Sequence, residues 1–486
     1  MRAPVACAIV AALVAGCTLG PDYRRPAVDA PAAFQYLPRD AAETANTDWW
    51  KQFQDPVLDA LIVEALANNL NVRVAYANLE QAAGIFTQTR SGLFPQVGYG
   101  GSGQRERSPE SGSARVNALV PNPQTAYQAA LSASWEIDLW GRVQRLSESA
   151  RANVLATDEA RRGVILTLVA TVATSYINLR GYDEQLVIAR RTLATYAESV
   201  RLFELQFKYG QISQMNVAQA QSQYETAAAQ IPVLETQIAQ TQNVLAVLVG
   251  RNPGAIARGK SIDQFALPAI PSGVPSSLLE RRPDLLQAEE TLVAANAQIG
   301  AAKALYFPTI SLTGMYGSAS SDLSKLFTGP ARVWNYAGQF TGPIFTFGAV
   351  SGQVAQAEGA QQAALYSYRL AIQNAFADVD NALVANRNLH EQLSAQGRLV
   401  DALRDYARLA KLQYDAGYAP YSTVLQAEQA LFPAELTYAS VRASLFASAA
   451  TVYRAMGGGW IAKADAMTSG GTAVTPESLL DKQPVF

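Results

Sequence analysis

The sequence predicts an α+β fold built from two copies of one unit, each with two β-strands and two long helices. Three observations support this prediction. A residue pattern recurs at a constant distance, two proline-free stretches of 67 residues are rich in helix formers, and four stretches alternate apolar with polar side chains. The alternating stretches have about 10 to 12 residues, the length of a tilted transmembrane strand. Four such strands cannot close a barrel around a pore, so residence in a membrane would require several chains to share one barrel.

The composition argues against several functions. The chain has 486 residues, with 38 basic and 40 acidic side chains and a single histidine, His390. This near-neutral balance provides no broad basic surface for nucleic acid, and one histidine leaves little for metal or triad chemistry. No phosphate loop, metal cluster or triad spacing is found, so we expect neither an enzyme nor a bound metal or cofactor. After the N-terminus we find no apolar run of about 20 residues that could span a bilayer as a helix.

The N-terminus is typical of a secretory signal. Residues 1–16 have a positive start, an apolar stretch and small residues before Cys17. The sequence VAGC at 14–17 resembles a bacterial lipobox, in which cleavage before the cysteine leaves its thiol to carry a lipid; an ordinary signal with an incidental cysteine is the alternative. Cleavage would also remove Cys7 and leave no internal disulfide. Residues 17–50 predict a lipid-anchored extended segment, and by resemblance to enteric lipoproteins the absence of Asp after Cys17 favours the outer membrane.

An internal repeat organises the rest of the chain. Residues 201–210 (RLFELQFKYG) match residues 408–417 (RLAKLQYDAG) at a shift of 207 residues. Alanine-rich helices can align at many offsets, but glycines and prolines that match at element boundaries favour a duplication. The predicted organisation is a first repeat over 51–257, an equatorial linker over 258–275, a second repeat over 276–458 and a C-terminal tail over 459–486.

Each repeat contains one very long helix. Residues 142–208 have no proline and many Ala, Arg, Glu, Gln and Leu residues, which predicts a single helix of about 100 Å. Residues 349–415 predict its second copy. Gly210 and Gly417 would end the two helices, because glycine adopts the left-handed conformation that closes a helix. The other predicted helices open each repeat, over 284–304 in the second, and follow each long helix, over 214–250 and 420–456.

Before each long helix the periodicity changes from helical to alternating. In residues 127–140 the odd positions are apolar or aromatic, and most even positions are polar. Aromatic residues near the strand ends suit the interfacial girdles of an outer-membrane barrel, although a soluble β-sandwich would alternate similarly. The predicted strands are 93–106, 126–139, 306–317 and 334–346.

These features together resemble the TolC-type outer-membrane efflux factors, in particular their lipoprotein branch, which includes OprM and the nodulation-type factors. The likeness covers nearly the whole mature chain. It includes the lipobox, two strand pairs, two long helices and a duplicated hairpin with YxxG-like tips. The matching stretches are CTLGPDYRRP at 17–26, DWWKQFQDPVLDALIVEAL at 48–66, RRPDLLQAE at 281–289, LFP and YFP before the strands, and GGGW at 457–460.

The resemblance implies a homotrimer with a twelve-stranded β-barrel in the outer membrane of a Gram-negative bacterium, continuous with a long periplasmic α-helical barrel. The barrel lumen would be lined by Glu136, Asp138 and Gln339. The protein would be the outer-membrane channel of a tripartite efflux pump. It would receive small toxic compounds through a periplasmic adaptor from an inner-membrane transporter of the resistance-nodulation-division type. The alternatives are a lipid-anchored, non-conducting coiled-coil adaptor and the outer-membrane component of a type I protein secretion system.

The periplasmic entrance is where this sequence departs from the family. Tyr414, Gly210 and Gly417 match the family pattern, but the charged gate residues of relatives are replaced here by neutral ones. We therefore expect a gate closed by packing and neutral hydrogen bonds, with Asp415 or Glu428 as possible nearby carboxylates. Solvated coiled-coil surface is the alternative interpretation. The positions aligned with charged gate residues are Asn216, Ala419, Thr423, Gln426 and Gln429.

Overall fold

The computed structural model describes residues 18–38, 41–109, 122–468 and 476–480. The predicted signal peptide and Cys17 lie outside these residues. The strands are β1 Gln96–Glu106, β2 Gln124–Ile137, β3 Thr309–Ser320 and β4 Arg332–Thr341. The helices are α1 Pro56–Asn68, α2 Leu70–Ser91, α3 Arg142–Lys208, α4 Gln214–Leu248, α5 Pro283–Ala304, α6 Ala349–Asp415, α7 Tyr421–Met456, α8 Trp460–Ala466 and α9 Pro476–Leu480.

The long helices α3 and α6 have 67 residues each, a length of about 100 Å. Each begins directly after a glycine with positive φ, Gly141 at 71° and Gly348 at 92°. Their far ends turn into α4 and α7 through Gly210 and Gly417, at 71° and 74°. Glycine adopts this left-handed conformation without the steric cost that a side chain brings. The two hairpins are therefore bounded by the same backbone device in both repeats.

Helix α3 is the element on which the others pack. It contacts α1, α2 and α4 of its own repeat, α5 and α7 of the second repeat, and α8 of the tail. Helix α6 packs on α5 and α7. The two repeats are thus interleaved in one body, because helices of the second repeat complete the packing around the long helix of the first.

An aromatic core joins the beginning of the first repeat to the end of the second. Trp49 stacks on Tyr453 with ring centroids 5.1 Å apart, and Trp460 contacts Trp49 edge-on at 6.0 Å. Trp50 and Phe53 are buried in the same cluster. Aromatic pairs in such geometries stabilise a core by about 0.5–1.5 kcal/mol each beyond the area they bury. The DWWKQF segment and the GGGW segment are therefore parts of one packing unit.

A buried arginine fastens the tail helix α8 to α3. Arg161, whose side chain is 3 % exposed, donates to Asp158 at 2.7 Å and to the Oδ2 atom of Asp465 at 2.7 Å. Its Nη1 also donates to the hydroxyl of Tyr76 at 2.8 Å. A buried charge is costly unless it is paired and hydrogen-bonded. These partners thus fix α8 against α3 and α2.

The N-terminal segment, residues 18–38, runs along α5 and the base of α3. Arg145 donates from Nε to the Leu19 carbonyl at 3.0 Å and from Nη2 to Asp22 at 2.7 Å. A Cβ atom at Gly300 would lie 2.3 Å from the same Leu19 carbonyl oxygen. Only a residue without a side chain allows this approach of two backbones. The segment is therefore seated on the helices rather than hanging from them.

The four strands form one antiparallel sheet in the order β1-β2-β3-β4. Two of the predicted strands start too early, since β1 begins at Gln96 and β3 at Thr309. The reason is that Phe94 and Phe307 close the last turns of α2 and α5, where their amides donate to Ser91 at 3.1 Å and Ala304 at 3.0 Å. An amide committed to a helical turn cannot join the sheet.

The last predicted strand, 334–346, extends too far. Strand β4 covers Arg332–Thr341 and ends two residues before Pro343. Proline has no N–H to donate to a ladder, so a strand pattern that crosses it is interrupted. Ile344 continues the apolar positions of the alternation in sequence without belonging to the strand, and its side chain is exposed.

One helix contradicts the expectation that no apolar stretch could span a bilayer. Helix α3 contains an 18-residue window that is long and apolar enough to cross a membrane, judged by length and composition alone. Inside the chain, 56 % of that window is buried. Most apolar residues of α3 between Ile165 and Leu179 belong to the main core. Packing inside the protein thus covers just over half of this apolar window.

We predict that Gly181→Ala destabilises the protein, because a Cβ there would lie 2.6 Å from the Cβ of Ala443, where α3 crosses α7. Overpacking of this kind costs about 1–3 kcal/mol. Gly163→Ala is the matched control on the same helix, since its nearest neighbour, Pro283, is 4.0 Å away. Thermal unfolding in detergent is the measurement. Equal unfolding midpoints for the two variants would contradict the close crossing.

Candidate functional site

The register of the sheet separates its side chains into two faces. Side chains directly opposite one another in an antiparallel sheet lie on the same face. On this basis one face, called the apolar face, carries Val97, Tyr99, Leu131, Trp135, Ile310, Leu312, Tyr316, Trp334, Tyr336 and Phe340. The opposite, polar face carries Gln96, Gln128, Ser132, Ser134, Glu136, Ser311, Thr313, Asn335 and Gln339.

The apolar face is exposed to solvent in the single chain. Tyr99 is 91 % exposed and Trp334 is 66 % exposed. Trp334 and Tyr336 stack on each other with ring centroids 5.7 Å apart, yet both remain uncovered. Contiguous apolar surface of this extent marks a site of contact with a membrane or another protein.

Two of the three predicted lumen residues lie in one row across the polar face. Glu136 is opposite Ser311, and Ser311 is opposite Gln339. The Glu136 carboxylate accepts two hydrogen bonds from Nη2 of Arg142, at 2.8 and 2.9 Å. This pair neutralises the carboxylate at the end of the sheet nearest the helices.

Asp138, the third predicted lumen residue, is not on the strand. Strand β2 ends at Ile137, and the Asp138 carboxylate accepts from the amides of Val143 at 3.0 Å and Gln144 at 2.8 Å. It thus satisfies free N–H groups in the first turn of α3, where a negative charge is favourable. With Glu136 paired and Asp138 capping, the two carboxylates do not form an acid–base pair. Within the described ranges, no group of three or more His, Cys, Asp or Glu side chains could hold a metal ion.

The two hairpin tips lie side by side around a small apolar cluster. Phe203 of α3 meets Tyr421 of α7 edge-on, with ring centroids 4.1 Å apart. Tyr414 of α6 meets the same ring at 5.5 Å. Val424 and Ala220 are buried in this cluster. The packing therefore joins the first-repeat tip to the second-repeat tip through Tyr421, a residue that the sequence reasoning did not select.

The neutral residues predicted to form the gate lie around this cluster rather than in it. Asn216 accepts a hydrogen bond from the Ser213 hydroxyl at 3.0 Å, Thr423 is half-buried, and Gln426 and Gln429 are exposed. Asp415 is exposed and lies 3.8 Å from Lys411. The structure thus brings Tyr414 into the tip cluster and leaves both glutamines on the surface of the single chain.

Among the described residues near the tips, Glu428 is the one carboxylate that is largely removed from solvent. Its Oε2 atom is buried and has no hydrogen-bond partner. Burial raises the pKa of Glu428, and the charge of Lys411 opposes this only in part. Burial, with a smaller contribution from Glu428, also raises the pKa of Tyr421 to about 12. The interior of the tip therefore favours the protonated form of Glu428.

A buried carboxylate farther from the tips joins three helices. Glu435 of α7 accepts from Arg191 of α3 at 2.6 Å and from Arg404 of α6 at 2.8 Å. The Glu435 side chain is 7 % exposed, whereas both arginines are more than half exposed. Sequence reasoning missed this bridge, because its partners are 244 and 31 residues away from Glu435. Arg191, Glu435 and Arg404 are called the arginine bridge below.

Comparison with known proteins agrees with this geometry. The family model described as outer membrane efflux protein matches residues 61–251 and 274–458. The chain belongs to this family. The family expected from the sequence is therefore confirmed, and the protein is an outer-membrane efflux protein.

Individual relatives extend over almost the whole chain. The probable efflux pump outer membrane protein TtgC of Pseudomonas putida is 36 % identical over 480 residues, which cover 97 % of this chain and 98 % of TtgC. The cation efflux system protein CusC of Escherichia coli K12 is 35 % identical over 456 residues, covering 93 % and 98 %. The crystal structure of the open state of the Neisseria gonorrhoeae MtrE outer-membrane channel is 33 % identical, with a TM-score of 0.82, covering 91 % of this chain and 99 % of MtrE.

We predict that Glu428→Gln makes packing at the tips less dependent on pH. A carboxyl group whose pKa is raised by folding stabilises the folded tip when protonated, and this stability is lost as the pH rises above the ordinary value of 4.5. Wild-type protein should therefore lose hydrogen-exchange protection over 421–428 as the pH is raised above 4.5 and through the raised pKa of Glu428, whereas Glu428→Gln should keep it.

Exchange rates in this comparison are corrected for the intrinsic effect of pH. Glu225→Gln, at an exposed glutamate of α4, is the matched control and should behave like wild type. An identical loss of protection in wild type and Glu428→Gln would show that titration of Glu428 does not control packing at the tips.

Proposed function

We propose that three copies of the chain form one continuous conduit across the outer membrane and periplasm. The observation that carries this proposal is the separation of the sheet into an apolar and a polar face. Strands β1 and β4 are the edges of the sheet, and open edges are not tolerated in lipid. Pairing β4 of one copy with β1 of the next closes the sheet. Three copies give twelve strands. A barrel of about eight strands is filled by its own side chains, so a barrel of twelve is wide enough to leave an open lumen.

In this assembly the apolar face contacts lipid and the polar face lines the lumen. Glu136 and Gln339 then lie on the lumen wall, close to where the strands continue into the helices. Aromatic residues at both ends of the strands suit the interfaces of the bilayer. The end of β1 at Glu106, the start of β2 at Gln124 and the connection between β3 and β4 face the exterior, because they lie at the end of the sheet opposite to the helices.

The long helices then form a periplasmic tunnel of about 100 Å. The hairpin tips, 205–217 and 412–424, lie at its entrance and would meet a periplasmic adaptor supplied by an inner-membrane transporter. Support comes from the names of relatives, which describe outer-membrane components of efflux pumps, such as TtgC. The solutes of the relatives differ, since one TtgC of Pseudomonas putida is a toluene efflux pump protein and CusC is a cation efflux protein. We therefore assign the channel role without assigning a solute.

The first described residues support a lipid anchor at Cys17. A Cβ atom at Gly141 would lie 2.9 Å from the Cα atom of Thr18, and the Leu19 amide donates to the Trp140 carbonyl at 3.3 Å. Residue 18 is thus held where β2 passes into α3, at the membrane-proximal end of the helices. A lipid on Cys17 would therefore reach the nearer leaflet of the membrane directly, because no additional stretch of chain is needed to bridge the distance.

We expect the purified protein to run as a heat-modifiable trimer and to form channels in planar bilayers. With neutral residues at the entrance, these channels should show little block by multivalent cations. Gln426→Asp should lower the cation concentration for half block by about tenfold, because three chains would then present a ring of carboxylates. Gln339→Asp, in the polar face of the sheet, controls for a carboxylate placed elsewhere.

Two results would contradict this proposal. A monomer that forms no channels would contradict the conduit itself. Strong cation block in wild type that is lost in Asn216→Ala or Gln426→Ala, without involvement of Asp415 or Glu428, would contradict the neutral gate alone.

For the anchor, we expect metabolic labelling with palmitate to be lost in Cys17→Ala. Cys7→Ala is the matched control, because the chain has only these 2 cysteines and Cys7 would leave with the signal peptide. Equal labelling in both variants would contradict lipidation at Cys17.

A further inference from the structure

A groove crosses the apolar face near the end of the sheet that is farthest from the helices. Its volume is about 580 Å³. One row of paired residues forms its floor, in the order Gly101, Ala129, Ser318 and Arg332. The first three have small side chains, so the face is hollow along this row. The fourth places an arginine at one end of the hollow.

The walls of the groove are apolar. The neighbouring row contributes Tyr99, Leu131 and Tyr316, which are paired across β1, β2 and β3. Phe327, from the connection between β3 and β4, also lines the groove and is 82 % exposed. These walls are three aromatic rings and a leucine, surfaces that favour contact with hydrocarbon over water.

Arg332 brings an unpaired charge to this apolar setting. No carboxylate of the residues that the structure describes lies within ion-pair distance of its guanidinium. The preceding basic residue in the chain, Lys325, is already paired with Asp322 at 3.1 Å. A guanidinium forms strong, bidentate hydrogen bonds with phosphate. The groove thus offers an apolar hollow that ends at an anion-binding group.

We propose that this groove binds one phosphorylated acyl lipid of the outer leaflet. An acyl chain lies over the small residues of the floor, between the aromatic walls, and the phosphate contacts Arg332. The proposal rests on the proposed function, because only a barrel in the membrane presents the apolar face to lipid. Charge complementarity selects an anionic lipid, and the walls select a ligand with an acyl chain over free phosphate.

Native mass spectrometry of the detergent-purified trimer tests the proposal. The probes are dioleoyl phosphatidic acid, dioleoylglycerol, which has the same chains without the phosphate, and inorganic phosphate. We expect phosphatidic acid to remain bound and the other two to dissociate. Arg332→Gln should weaken retention of phosphatidic acid about tenfold, because it removes the charge-assisted hydrogen bonds. Arg332→Lys should retain part of the binding, because lysine keeps the positive charge but cannot form the bidentate hydrogen bonds.

Two further variants distinguish binding in the groove from nonspecific attraction to the positive charges at this end of the sheet. Lys325→Gln removes a nearby cation that does not line the groove, and it should bind phosphatidic acid like wild type. Ala129→Phe fills the floor while keeping Arg332, and it should lose the lipid. Retention unchanged in both Arg332→Gln and Ala129→Phe, or equal retention of dioleoylglycerol, would overturn the proposal. Trimer formation and conductance of the wild-type protein are recorded in parallel, so that a failure of the conduit is distinguished from a failure of the lipid site.

Discussion

The apolar face of the sheet finds no cover among the described residues of its own chain, and the rest of the structure is arranged around this constraint. Four strands with two open edges are too few to enclose anything, yet their register gathers the aromatic side chains on one side. Such a face is stable only in contact with lipid or with other protein. The helices cannot relieve this demand, because they leave the sheet from a single end.

The helices meet a related constraint in another way. A helix of 67 residues is too long for its own hairpin partner to cover, since α4 has 35 residues. Helix α3 therefore packs on both repeats in succession, with α5 near the sheet, α7 along the middle and the tip cluster at the far end. The arginine bridge lies along this path and ties α3, α6 and α7 together through one carboxylate. The buried Glu435 carboxylate is compensated by two arginines from different helices, so the three helices are held as a group.

Much of this architecture could be predicted from the sequence, and the exceptions have physical causes. The long helices were predictable because proline is absent and glycine marks their ends, and these are local signals. Asp138 was predicted to lie on a strand because it continues a polar alternation in sequence. In the structure its carboxylate instead accepts hydrogen bonds from the first turn of α3. The expected start of β1 was wrong because Phe94 belongs to a helical turn. The arginine bridge and the role of Tyr421 depend on contacts between distant segments, which no local pattern contains. The gate residues Gln426 and Gln429 remain a prediction, because only neighbouring copies of the chain could bring them together.

The equal length of α3 and α6 has a consequence for how this protein can evolve. One residue inserted into an α-helix rotates everything beyond it by about 100° and moves it by 1.5 Å. An insertion in one long helix would therefore turn its tip away from the tip beside it and misalign every contact between Phe203, Tyr414 and Tyr421. The reach of the molecule can change only when both copies change together, and in steps that restore the same helical face. The length of the helical part is thus expected to change only in discrete steps, taken by both repeats together.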